Sequence, residues 1–310
     1  MKFVLTRFGY AVVVIFLASI GTFIGLHGSP GSVISSVFDV ATTPHSVIVA
    51  YERRHGLLDP VWVQYWHYIS GIVTGRFGTS LVNDLPVMTI FTTSIGYTAQ
   101  LAGAAFLLAF GLGIPVGVLA AIKRDSILDR VVRSVASLVL SVPNFVLGTL
   151  LVLVVGVHLR WLPVGGAGSF TDLILPAVVL AAEPWSLTVR VTRTSFLEQM
   201  SADFTRTLRA RGVSERRITW RHVLRNSLGS IISLGTIQVR NLLGYTVLVE
   251  VIFRWPGLGT QLVNAVLDRD YAVAEVLSLL LAAAVVLASA LGDVVLRLVD
   301  PRVRVTGEAS

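Results

Sequence analysis

The 310-residue chain has no cysteine, which excludes disulfides, thiolate metal sites and a cysteine nucleophile while leaving the redox compartment open. Charge is also scarce: Asp, Glu, Lys and Arg make up 14% of the residues, against about 25% in an ordinary soluble domain. Hydrophobic residues reach 54%, with a mean hydropathy of +0.77, so too little polar surface remains to coat a water-soluble body. A G-x-x-x-x-G-K-[ST] phosphate loop is missing, and without one the chain cannot be a P-loop ATPase. The six histidines are scattered, with no H-E-x-x-H and no paired carboxylates, so neither a catalytic site nor a metal site is expected. There is no internal repeat, low-complexity tract or long flexible linker.

What the chain does have is long apolar runs. A bilayer's hydrocarbon core takes roughly 17–25 apolar residues per helix, and six windows qualify: Phe8–Leu26, Ile95–Ile122, Ser134–Leu159, Leu173–Val189, Asn226–Val249 and Val276–Leu296. The first run is too long for a signal-peptide core and lacks an A-x-A-like cleavage site, so it reads as an uncleaved first helix. The expected architecture is all-α and integral to the membrane, with six spans. Along the chain this divides into residues 1–94 (first span and a long extracytoplasmic loop), 95–299 (a five-helix core with a large loop at 193–225) and a short tail, 300–310.

Orientation follows from Lys and Arg in the connections. With the N-terminus inside, the inner segments carry seventeen, among them Lys123, Arg124, Arg130, Arg133 and eight between Arg193 and Arg225, and the outer segments carry six. Both termini are therefore expected in the cytoplasm. The net charge of +7 is mostly topology, and nucleic-acid binding is not needed to explain it.

The outer loop, His27 to Ser94, holds Asp59-Pro60 followed by Val61, Trp62, Tyr65, Trp66, Ile69 and Ile72, an apolar face at helical spacing. That face predicts a helix, either lying in the headgroup layer or packed on the neighbouring spans.

Some charges fall inside spans. An arginine at mid-helix costs roughly 2.5–3.5 kcal/mol on insertion scales, so it should face protein or water. Glu183, beside a kink expected at Pro184, and Arg240 either pair with each other or a neighbouring subunit, or line a translocation path, for which Asn241 is a further candidate. Asn144, after Pro143, is a weaker path candidate, with an inter-helix hydrogen bond as the plainer reading. Asp293 and Arg297, one turn apart, are expected to pair. His158 reads as a boundary residue.

The loop from Thr192 to Asn226 is the most informative segment. Asp203 to Arg211 has no helix breaker and predicts a short helix. Gly212 supplies a left-handed terminator, and Ser214 and Glu215 suit the N-terminus of a following helix. A basic loop obeying the positive-inside rule would not need an ordered helix-Gly-helix. Such an element suits contact with a partner.

DFTRTLRARGVSERRITWRHVLRN resembles the EAA loop of ATP-binding-cassette importer permeases in the dipeptide/oligopeptide family. The resemblance extends through Asp59-Pro60, GRFGTS (75–80), GIPVGVLAA (113–121), Asp129-Arg130, Leu162-Pro163, Leu175-Pro176, FRWPGLG (253–259), Asp270-Tyr271 and Asp300-Pro301-Arg302. It matches the first permease subunit of such importers, the one with the long outer loop.

The resemblance implies a type I importer in a bacterial cell membrane. A second, related permease subunit would complete the pore, two ATPase subunits would bind ATP and Mg, and an extracytoplasmic binding protein would deliver substrate. No cofactor would be bound by this chain itself. Asp203, Phe204, Arg206, Thr207, Leu208, Arg209, Ala210, Arg211, Gly212, Val213 and Ser214 would couple to an ATPase. Arg76, Trp255, Pro256, Gly257, Asp270 and Tyr271 would be candidates for docking the binding protein. The implied cargo is a dipeptide or oligopeptide, with haem or a nickel chelate as the alternative. Leu208 (usually Ala), Arg76 (usually an acid), Gly229 (in a region where the family often has a proline) and Arg240-Asn241 (usually small and apolar) depart from the family pattern. A secondary transporter would instead need inverted repeats and its own ion site, and neither is visible.

Overall fold

The computed structural model describes residues 2–28 and 30–299. Among them there is no strand, only an isolated bridge between Thr79 and Pro86. In chain order the helices are α1 (Lys2–His27), α2 (Ile34–Val37), α3 (His45–Arg54), α4 (Val61–Thr74), α5 (Val87–Ile122), α6 (Ile127–Ser141) and α7 (Asn144–Leu151). They continue as α8 (Phe170–Ser201), α9 (Asp203–Ala210), α10 (Glu215–Arg217), α11 (Leu224–Ile252), α12 (Leu258–Leu267) and α13 (Tyr271–Val299). Two π-helical stretches, Val152–His158 and Ile218–Val223, extend α7 and lead into α11.

Among the described residues, four helices are long and apolar enough to cross a membrane: Gly9–His27 within α1, α5, α8, and Tyr271–Gly292 within α13. The third expected span is not one straight helix. Pro143 disfavours helical geometry in the residue before it, Val142 is extended (φ −100°, ψ 120°), and the two arms, Ile127–Ser141 and Asn144–His158, meet at 101°. Counted as one broken span, they bring the total to five. α11 is long enough at 29 residues, but Arg225, Gln238, Arg240 and Glu250 dilute its hydropathy. α8 runs on through both Pro176 and Pro184. The expected Asp293–Arg297 pair and the tail at 300–310 lie outside the described residues and side chains.

Two compact units form: residues 1–98 with 256–286, and residues 99–255 with 287–310. In the first, α4 packs on α1. The Tyr65 hydroxyl lies 3.1 Å from Ser19 Oγ, and the Tyr65 ring meets Phe23 edge-on at 5.0 Å. Trp62 and Trp66 of α4 point outward, so the helix is packed on α1 on one side and exposed on the other. Asp270, buried, is the clamp of this unit. Its carboxylate accepts from the Ser80 hydroxyl, from Leu81 N–H at 3.0 Å and from Val273 N–H at 3.4 Å. One side chain thereby caps α13 and fixes a loop 190 residues away in sequence. The Thr98 hydroxyl accepts Leu258 N–H at 2.8 Å in the same way.

The second unit is built around α8, against which α6, α7 and α11 pack. Leu173, Leu180, Ile231, Leu242, Phe253 and Trp255 form its apolar centre. α5 reaches α8 by close approach: a Cβ on Gly113 would stand 2.9 Å from Thr188 Cβ, and one on Gly117 would stand 2.8 Å from Thr192 Cβ. Small residues four apart on one helix facing threonines four apart on another let the backbones close in, which is the main attraction open to helices whose surroundings are as apolar as their side chains. Gly117→Leu should therefore cost about 1–3 kcal/mol by overpacking, read as a lowered melting temperature of the purified protein. Gly111→Leu, where nothing lies within 4 Å of the added Cβ, should leave it nearly unchanged. Equal effects would mean that the two helices do not meet at Gly117.

Candidate functional site

The helix-turn-helix at 203–225 is formed as its residues dictate. α8 ends at Ser201, Ala202 is extended, and α9 begins at Asp203. After Arg211 the chain turns through Gly212 at φ +76°. Gly212 N–H bonds Arg209 O at 2.9 Å and Val213 N–H bonds Leu208 O at 3.1 Å, the paired bonds of a Schellman stop. The apolar contact that accompanies this motif is also present, because Leu208 and Val213 pack in one cluster with Phe196, Ile218 and Val223.

The element has two faces. Phe204, Thr205, Leu208 and Val213 turn inward, and the Thr205 hydroxyl donates to Gln199 O at 2.8 Å. Asp203, Arg206, Thr207, Arg209, Ala210, Arg211, Gly212 and Ser214 are exposed. The extra bulk of Leu208 therefore goes into the protein's own packing and not onto the outward face. Ser214 stands at the N-terminus of α10, but its side chain makes no capping bond; its carbonyl accepts from Arg217 and Ile218 N–H. Glu215 pairs with Arg209 across the turn, accepting from Nε at 2.6 Å and Nη2 at 3.2 Å. The Arg209 hydrogen bond holds the Glu215 carboxyl below its ordinary range, so the pair opens as pH falls through that lowered value.

Sequence reasoning missed the anchor behind this element. Asp129, completely buried, takes Arg193 in a two-pronged bond, Nε to Oδ1 at 2.6 Å and Nη2 to Oδ2 at 2.8 Å. Asp125 N–H adds a third donor at 3.0 Å, and the Ser126 hydroxyl caps α6 by accepting Asp129 N–H at 3.2 Å. The turn between α5 and α6 is thereby tied to α8 about three turns before α9 begins. Residues 129 and 193 are 64 apart, and no local pattern joins them.

The path candidates divide. Glu183 and Asn144 line one cavity of about 360 Å³ with Pro143, Tyr245 and Leu248. Arg240 is exposed on α11 and Asn241 half-buried. Glu183 and Arg240 do not form an ion pair with each other, which corrects the reading of an internal pair: the acid faces the broken helix while the arginine points outward.

The docking candidates divide as well. Arg76 is exposed, whereas Trp255, Gly257 and Asp270 are buried and Pro256 and Tyr271 half-buried. Trp255 and Asp270 shape their loops from within; they are not contact surface. His158 is exposed at the end of its π-helical stretch.

Comparison with known proteins agrees with these features. Residues 113–305 match the model of binding-protein-dependent transport system inner membrane components, and residues 1–102 match the N-terminal model of such membrane components. The dipeptide transport system permease protein DppB of Escherichia coli (strain K12) is 34% identical, with 98% of this chain and 99% of that one covered. The glutathione transport system permease protein GsiC of the same strain is also 34% identical over 98% of this chain and 99% of its own. Among solved structures, an inward-facing MetNI methionine ABC transporter chain superposes with a TM-score of 0.59 at 22% identity, covering 69% of this chain and 98% of that one. This last likeness concerns the fold.

Asp129→Ala should leave Arg193 as an unpaired, largely buried cation and cost about 3–5 kcal/mol, seen as loss of monodisperse protein on heating. Asp129→Asn combined with Arg193→Met removes both charges and should recover most of that loss. No recovery in the double variant would show that the pair does more than neutralise buried charge.

Proposed function

The chain belongs to the inner-membrane components of binding-protein-dependent transport systems, and we propose that it forms half of the pore of a dipeptide or oligopeptide importer. It is a transport subunit and not an enzyme. A second permease subunit, two ATPase subunits and an extracytoplasmic binding protein are its proposed partners. The peptide cargo is supported by the relatives named for dipeptide and glutathione transport.

The proposed topology has six spans in the bacterial cell membrane with both termini in the cytoplasm. α1, α5, the broken α6–α7 segment, α8, α11 and α13 supply them. The excess of Lys and Arg in the segments then lying inside supports this arrangement. α11, too polar to qualify by hydropathy, becomes the sixth span if its Arg240 faces a water-filled path. Glu183, Asn144, Tyr245 and Arg240 are the polar groups proposed for that path.

One observation carries the mechanism. α9 is fixed on its inner face by Phe204, Leu208 and Val213 and stopped by a left-handed Gly212, while its outer face is polar and free. A short helix held this way moves as a body with the end of α8. Closure of an ATPase against Asp203, Arg206, Thr207 and Arg209–Ser214 would be passed to α8, and through Arg193 and Asp129 to the α5–α6 turn.

Proline at position 212 cannot adopt φ +76° and lacks the N–H that bonds Arg209 O. In the reconstituted complex, Gly212→Pro should cut ATP hydrolysis stimulated by binding protein and peptide at least tenfold while the complex still assembles. Unchanged stimulation and uptake would overturn the coupling role.

A further inference from the structure

The first unit contains a cavity that the transport reading leaves without a use. It has a volume of about 300 Å³ and lies among α1, α4, α13 and the loop that follows α4. Phe23, Tyr68, Phe77 and Tyr271 form much of its wall, and Glu275 opens into it. Glu275 is 5% exposed, and its Oε1 accepts no hydrogen bond.

Neither Tyr68 nor His27 supplies that hydrogen bond. The Tyr68 hydroxyl donates to the Glu275 backbone carbonyl at 3.1 Å, not to the carboxylate. His27 Nδ1 stands 3.6 Å from Oε1, within ion-pair distance when the ring is protonated, but beyond hydrogen-bond reach. Its ring nitrogens are engaged by Phe23 O at 3.1 Å and Gln64 Oε1 at 3.2 Å. The Gln64 amide cannot turn its donors towards them, because its NH₂ is held by Leu57 O at 3.3 Å and Asp59 O at 2.8 Å. The cavity thus presents a buried carboxylate oxygen that lacks a donor, surrounded by aromatic faces.

A buried carboxylate is costly unless it is hydrogen-bonded as well as paired, and His27 brings no N–H to Oε1. A metal ion does not suit the site, since among the described residues no three His, Cys, Asp or Glu side chains gather to hold one. A quaternary ammonium would satisfy the aromatic walls but bring no N–H to Oε1. A primary ammonium satisfies both, donating to the carboxylate while its charge lies against the rings. Arg76, exposed at the margin of the same cavity, is placed to meet a carbonyl or carboxylate at the ligand's other end. We propose that this cavity binds a small molecule bearing a primary ammonium, of the size of an amino acid or its amide, with Glu275 as the counter-ion. This assignment stands apart from the translocation path of the second unit and does not depend on the cargo of the importer.

The test is calorimetric titration of the full-length chain in lipid nanodiscs with L-alaninamide and with N-acetyl-L-alaninamide as probes. Saturable binding of alaninamide is expected, weakened at least tenfold by acetylation of the probe and at least tenfold by Glu275→Gln. Glu275→Asp, which keeps the charge, should retain part of the affinity. Absence of saturable binding to the wild-type chain, leaving His27 as sufficient partner for Glu275, overturns the proposal. Equal binding of the acetylated probe, or full binding by the glutamine variant, overturns it too. Should the glutamine variant not assemble, the comparison of the two probes on wild-type protein still decides.

Discussion

A carboxylate removed from water must be met by donors, and in a chain with so few charges two buried acids each fix a particular tertiary connection. Asp129 is satisfied by Arg193 and Asp125 N–H, and Asp270 by Ser80, Leu81 N–H and Val273 N–H. Each draws together segments that are distant in sequence, one in each compact unit. The apolar helices supply burial in quantity but little direction, because a Leu-rich face packs acceptably at many angles. The acids supply the direction. Close approach at Gly113 and Gly117 adds a second constraint, since only backbones without Cβ atoms reach the distances found against Thr188 and Thr192.

This division explains how α9 can be small and still stiff. Eight residues are too few for a helix to be stable by itself, so its order must come from tertiary packing and from its terminus. Leu208 serves both, as the third residue from the end whose carbonyl accepts Val213 N–H and as an apolar contact with Val213. The polar outward face then adds nothing to the folding of the helix and is free to match a partner. The exposed Arg209–Glu215 pair lies across the turn, where solvent screening limits what it adds to stability.

Much of this was legible in the sequence where the signal is local. The apolar runs of α1, α5 and α13 give helices long and apolar enough to cross a membrane, and the helix, glycine turn and following helix at 203–217 are formed as their residues predict. The signals misread were local as well. Pro143 lay in plain view, yet its effect on Val142 was outweighed by the hydrophobicity of the whole run, and the helix breaks there. Ser214 has the residue type of a cap without making the bond. The pairing of Asp129 with Arg193 and of Asp270 with Ser80 was not legible at all, since nothing periodic relates positions 64 or 190 apart. The same blindness made Trp255 and Asp270 look like surface: motif positions carry residue types but not the direction in which side chains point.

The unpaired state of Glu183 and Arg240 follows the same logic with the opposite outcome. Asp129 and Asp270 are satisfied within the chain, so they are complete in a single subunit. Glu183 faces a cavity with Asn144 and Tyr245, and Arg240 is exposed on α11, so neither is met by an opposite charge from this chain. A helix that carried such groups against lipid would pay several kcal/mol for each. Water or a second protein surface removes that cost, and the proposed pore between two permease subunits would provide both. Asp129 and Asp270, satisfied internally, act as scaffold, and on the proposed function Glu183 and Arg240 would face the partner subunit or the substrate.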